Sequence, residues 1–145
     1  MTLLDTFFNT EVMVSAFPIL MRGLANTIVL GVLSIGIGIP VGLVISLIRL
    51  YAPRPLRVLS IIYIDIFRAM PVLVVLILIY YALPFVGIRL SSWTSATLAF
   101  MFVMSAYSAE VFRSGIESIP KGQFEAAHAL GLPFLLTLRK VILPQ

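Results

Sequence analysis

Charged residues divide this chain into long apolar stretches. Between Arg22 and Arg49 lies a charge-free run of 26 residues, Gly23 to Ile48. As a helix it reaches about 39 Å, more than the roughly 30 Å hydrocarbon core of a bilayer. Two further runs of 20 residues follow, Ala69–Ile88 and Leu90–Ala109. The apolar pattern of the second reaches back through Phe67, Ile64, Ile62 and Ile61 to about Val58. The pattern predicts an all-α, polytopic membrane protein with transmembrane helices at about 23–48, 58–83 and 92–110. Residues 1–22 carry Asp5 and Glu11 where a cleavable signal would be basic. They read instead as a short amphipathic segment at the extracytoplasmic interface.

Within the first span, Ser34, Gly38, Gly42 and Ser46 recur every four residues. Small side chains at that spacing let another helix approach closely, either as ordinary packing or, with Pro40 inside the stripe, as a flexing element beside a pathway. In the second span Pro71 removes a backbone donor and is expected to kink the helix. Arg68 lies one turn earlier, where its guanidinium can snorkel to water or pair with Asp65. Arg68 and Pro71 are accordingly candidate gate or pathway residues. Tyr80, Tyr81 and Trp93 suit an aromatic belt. Glu110 and Arg113, three apart, are expected to pair at the membrane surface.

The stretch Ser114–Gln145 is less apolar and differently patterned. Pro120 interrupts the preceding helix, and the chain restarts at Lys121. Phe124, Ala127 and Leu130 fall on one side of a short helix, Glu125 and His128 on another. Gly131 suits a left-handed cap and Pro133 the first turn of a second helix. The segment reads as helix, tight turn, helix. Its slim first helix has the shape to enter a partner's groove, with Glu125 meeting a basic group and Ala126 and Ala127 against the groove wall; an interfacial helix pair on lipid is the alternative.

Composition narrows the function. Hydrophobic residues make up 61% and charged residues 11%, with a mean hydropathy of +1.12. Soluble domains carry roughly 25% charged residues, so a soluble enzyme or nucleic-acid binder is excluded. The net charge of +4 comes from basic residues scattered singly. Eight of the ten follow the first or third span or open the second; only Arg22 and Arg89 fall on the other side. That asymmetry predicts an external N-terminus and a cytoplasmic segment 111–145. There is no cysteine, and His128 has no metal-ligand partner at useful spacing. No catalytic residue, metal or cofactor is expected. No phosphate-binding glycine loop is present, so if ATP drives this protein another subunit binds it.

The stretch from Glu125 to Pro144 resembles the cytoplasmic loop of bacterial ABC importer permeases: Glu-Ala-Ala, three residues, Gly, nine residues, then Ile-x-Leu-Pro. Here Glu125, Ala126, Ala127, Gly131, Val141, Leu143 and Pro144 occupy those positions, with Val141 in place of isoleucine. Ala106–Arg113 and Ser118–Gln123 are similar to the branch that imports polar amino acids such as histidine, glutamine, glutamate and arginine. Asp65–Pro71 resembles that branch's Arg-Gly-Thr-Pro element, with Ala69 and Met70 replacing Gly and Thr.

The resemblance implies an incomplete type I permease domain over 23–145 in the bacterial inner membrane. Family members continue beyond Leu-Pro with about two more helices, so a fragment or truncated product is expected. It further implies a second permease subunit (the same or a sister chain), cytoplasmic ATPase subunits, an extracytoplasmic binding protein and an amino acid substrate. The residues from Glu125 to Pro144 named above would couple the permease to its ATPase. The alternatives are a non-transporting membrane scaffold or remnant, and an ion-driven secondary transporter. The latter usually places ionisable residues at the midplane, whereas here the charges stay at the ends of the spans.

Overall fold

The computed structural model describes residues 9–145, and these are helical almost throughout. Helix α1 is Thr10–Tyr51, α2 is Arg54–Ala69, and α3 is Val72–Ile77, which continues through a π turn, Leu78–Ala82, and a 3-10 turn, Leu83–Val86. Helix α4 is Ser92–Ser118, α5 is Lys121–Ala129, and α6 is Phe134–Thr137, followed by a π turn, Leu138–Ile142. Helices α1 and α4 are each long and apolar enough to cross a membrane, and a bent pair, α2 with Val72–Val86, lies between them in sequence.

Helix α1 begins at Thr10 rather than near Gly23. The Asn9 side chain caps it, accepting from the backbone N–H groups of Glu11 and Val12 at 3.1 and 3.2 Å. Residues 10–22, expected as a separate segment, therefore continue the helix; residues 1–8 of that segment lie outside the described residues. Arg22 and Asn26 change the polarity of the helix surface without changing its backbone preference. Helix α4 likewise runs past Ala109 to Ser118. Ser91 caps its start, accepting from the Thr94 N–H at 3.1 Å, and Pro120 follows its end.

The small-residue stripe is the seam of the bundle. Ser34, Gly38, Gly42 and Ser46 are all buried, and α4 packs along them. A Cβ on Gly42 would lie 2.7 Å from the Ser105 carbonyl oxygen and 2.7 Å from the Ser108 Cβ. One on Gly38 would lie 2.9 Å from the Met104 Cβ. The facing residues of α4, Ser105, Ser108 and Ala109, are small and buried too. The hydroxyls of Ser34 and Ser46 have no hydrogen-bond partner among the described residues. These serines serve the seam by size, which is the basis of close helix approach in lipid.

The second expected span is broken rather than kinked. Met70 (φ −94°, ψ 135°) and Pro71 (φ −57°, ψ 139°) both leave the helical region. Proline disfavours helical geometry in the residue before it, so the two act together. The axes of α2 and Val72–Val86 differ by 106°. Above the break, Val75 and Ile79 cluster with Ala99 of α4, with Phe67 and Phe102 beneath them. The last turn closes on Gly87 at φ 86°, a conformation that suits glycine.

The seam predicts an asymmetry among glycines of one helix. Gly42→Leu is expected to destabilise the α1–α4 pair by about 2–3 kcal/mol or more, the cost of overpacking against backbone. Gly36→Leu, where a Cβ meets nothing within 4 Å, should be close to neutral. Unfolding of both variants in mixed micelles, followed by helical circular dichroism, measures the difference.

Candidate functional site

The most organised polar features lie where α1, α4 and the segment after Pro120 meet. Pro120 (φ −57°, ψ 135°) turns the chain out of α4 and α5 starts at Lys121. The helix ends in a left-handed turn at Gly131, φ 71°. The Gly131 N–H donates to the His128 carbonyl at 2.9 Å and the Leu132 N–H to the Ala127 carbonyl at 3.0 Å. This is the glycine-capped exit in which a positive φ lets the last carbonyls be satisfied. Pro133 then caps α6.

Helix α5 has two unlike faces. Glu125, Ala126, His128 and Ala129 are exposed, while Phe124 is half-buried. Ala127 is only 3% exposed. The expectation that it lies against a partner's groove wall is therefore corrected: Ala127 is turned inward, on the side where α5 packs against α6 and the turn Leu138–Ile142. Leu130 is also corrected. It is 78% exposed, because it sits at the non-helical cap (φ −79°, ψ 3°) and the turn swings it away from Phe124 and Ala127.

The far side of the loop is anchored to both long helices. Leu138 and Ile142 are buried against Ile116 of α4, with Leu47 and Leu50 of α1 packed beside them. Phe134 meets Tyr51 edge to face, ring centroids 4.9 Å apart. Val141 is half-buried in the same cluster, and Leu143 and Pro144 are exposed beyond it. Sequence reasoning passed over Ile116, Leu138, Ile142, Tyr51 and Phe134. The i, i+4 spacing of Leu138 and Ile142 was the available signal.

Glu110 of α4 gathers three arginines. Its Oε2 accepts from Arg49 Nη1 at 2.7 Å, and its Oε1 from Arg113 Nη2 at 2.5 Å and Arg113 Nε at 3.1 Å. Arg68 Nη1 stands 3.7 Å from Oε2. Arg113 also bonds Glu117. The Arg113 pairing follows the sequence expectation; Arg49 and Arg68 join from other helices. Arg68 does not pair with Asp65, which is exposed. Helix α2 turns Arg68 toward α4 instead, its guanidinium 5.6 Å from the centre of the Tyr107 ring. Tyr63 reinforces this crossing through a 2.6 Å hydrogen bond to the Ser105 hydroxyl. The two candidate gate residues thus flank one structural joint: Arg68 at the cluster, Pro71 at the break.

A largely apolar groove of about 550 Å³ runs above this joint, between Thr27, Gly31 and Ser34 of α1 and Phe100, Met104 and Tyr107 of α4. It offers too few polar groups to hold a zwitterion by itself. Among the described residues, no group of three or more His, Asp or Glu side chains is arranged to hold a metal ion.

The cluster is partly shielded from water, with Glu110 and Arg49 side chains each 21% exposed. Glu110→Gln leaves three guanidinium groups facing a neutral amide. It is expected to cost about 1–3 kcal/mol, between the values of surface and buried pairs. Arg68→Gln, removing a longer and 39% exposed partner, should cost less than about 1 kcal/mol. Equilibrium unfolding of the two variants in micelles tests the order.

Comparison with known proteins agrees with this arrangement. Residues 38–145 match the family described as the binding-protein-dependent transport system inner membrane component. The probable amino-acid ABC transporter permease protein YckA of Bacillus subtilis is 40% identical over 97% of this chain and 62% of that protein. The L-cystine transport system permease protein TcyB of Bacillus subtilis is 40% identical over 90% of this chain and 56% of that protein. A crystal structure of an amino acid ABC transporter with histidines superimposes with a TM-score of 0.82 at 36% identity, covering 93% of this chain and 63% of that one. This chain spans about three fifths of the length of these relatives. The match over residues 38–145, together with the helical membrane architecture, shows the family: the chain belongs to the binding-protein-dependent transport system inner membrane components.

Proposed function

We propose that this chain forms part of the translocation path of an importer for a polar amino acid, and that it couples that path to a separate ATPase through the loop from Glu125 to Pro144. The observation that carries the proposal is the loop's division of labour. Glu125, Ala126 and Ala129 are exposed on one face of α5, and Leu138 and Ile142 anchor the other end against α1 and α4. A displacement of α5 is thereby transmitted to both long helices, to the Glu110 cluster and to the joint at Pro71. Relatives named for glutamine, arginine and L-cystine support a polar amino acid as cargo.

On this reading two permease subunits surround the pathway, two ATPase subunits dock beneath α5, and an extracytoplasmic binding protein delivers the substrate. This chain supplies the path and the mechanical linkage, and hydrolysis belongs to the partner. Glu125 and Ala126 make the docking contact. Ala127 and Gly131 shape it, and Val141, Leu143 and Pro144 return the chain toward the membrane. The N-terminus lies outside in a multi-pass arrangement.

Two experiments test the proposal. A reporter fused after Tyr51 is expected in the cytoplasm and one fused after Arg89 outside, as the basic asymmetry requires; an internal residue 89 would overturn the orientation and with it the coupling argument. In the assembled transporter, Glu125→Ala should weaken ATPase co-purification and lower uptake, at about 2–5 kcal/mol if its partner is a desolvated cation. Gly131→Val should be worse, because a β-branched residue is strained at φ 71°. His128→Ala should be mild. Wild-type uptake and co-purification for both Glu125→Ala and Gly131→Val at matched expression would remove the loop as the transmission element.

A further inference from the structure

Helix α2 presents three distinct faces. With about 100° between successive residues, Ser60, Tyr63, Ile64 and Phe67 occupy one arc. These are buried or half-buried against α1 and α4, with Ile64 at 0% exposure and Tyr63 bonded to Ser105. A second arc carries Arg54, Arg57, Asp65 and Arg68, all exposed. A third carries Val58, Leu59, Ile62 and Ile66, exposed at 52%, 62%, 49% and 47%. The apolar arc has no cover among the described residues.

Three observations bear on what covers it. The axis of α2 stands 106° from that of Val72–Val86, transverse to the segment that packs along α4. Its 16 residues would reach only about 24 Å, short of a roughly 30 Å hydrocarbon core. Val72–Val86 is no longer than α2, but it packs along α4, a helix of spanning length, whereas α2 lies across it. Finally, α2 lies level with the charged end of the bundle: Arg57 Nη2 donates to the Leu50 carbonyl at 3.3 Å, and Arg68 reaches Glu110. Charges of this density mark the headgroup region, where long basic side chains rest.

We infer that α2 is an in-plane helix at the membrane surface, Arg54 and Arg57 on anionic phospholipid headgroups and Val58, Leu59, Ile62 and Ile66 among the acyl chains. The charge fits this occupant. With Arg68 turned to Glu110, Arg54 and Arg57 against Asp65 leave the polar arc net positive, which attracts an anionic leaflet and opposes pairing with the same arc of a second copy. An aliphatic arc beside a basic arc is the pattern of helices that lie in the interface. This inference stands apart from the transport proposal, since it concerns the outward faces of α2 and needs no ATPase.

The chain contains no cysteine, so Ile62→Cys can carry a single nitroxide. The whole chain is reconstituted in vesicles of phosphatidylcholine, with or without phosphatidylglycerol, and relaxation of the label by oxygen and by a water-soluble nickel complex present on both sides is compared. Oxygen should dominate in the anionic vesicles. Arg54→Gln with Arg57→Gln should shift the label toward nickel, by about fivefold in docked population for each arginine removed. Both arginines are exposed, and matching helical circular dichroism confirms that the fold is retained. Nickel-dominated relaxation in anionic vesicles, indifference to lipid charge, or spin–spin broadening from a second copy would each overturn the inference.

Discussion

The close approach of α1 and α4 at Gly38 and Gly42 is the constraint on which the other features rest. Within lipid, helices gain little from hiding apolar side chains from one another, because the tails are equally apolar. What holds them is contact distance. The backbone of Gly42 lies so near Ser105 that an added Cβ would stand 2.7 Å from its carbonyl oxygen. At that separation Arg49 reaches Glu110, Tyr63 reaches Ser105 from the third side, and Leu47 and Leu50 come within reach of the returning loop.

The break at Met70 and Pro71 takes its meaning from that seam. Two successive extended residues free α2 from the direction of Val72–Val86, and α2 then crosses α4 near Ser105. Arg68 is carried to Glu110, where one carboxylate faces three guanidinium groups. Such an arrangement is weak evidence for stability, because each charge loses hydration. Its structural consequence is geometric: α1, α2 and α4 meet at one residue, so movement of any of them is felt at the others.

The loop beyond Pro120 shows the same economy of small residues. Ala127 lets α5 lie close to the returning segment, Gly131 accepts the left-handed turn, and Leu138 and Ile142 fasten the return. The exposed face bearing Glu125 and Ala126 remains as the surface through which the loop can meet another protein.

Much of this was determined by the sequence alone. Span-length apolar runs follow from the thickness of a bilayer, and the four-residue recurrence of Ser34, Gly38, Gly42 and Ser46 named the packing face before its partner was known. The turn at Gly131 and the stops at Pro120 and Pro133 are local backbone chemistry, readable one residue at a time. Tertiary structure decided what depends on residues distant in sequence. Nothing near Glu110 announces Arg49 or Arg68, and the i, i+3 rule offered only Arg113, or Asp65 as the partner of Arg68. Helical periodicity placed Leu130 with Phe124, but the cap at that position set it outside. The apolar pattern of 58–83 read as one span, since periodicity reports which faces are apolar and carries no information about the angle between two helices. That angle was set by Pro71 acting with Met70, and by the seam that gave α2 somewhere to pack.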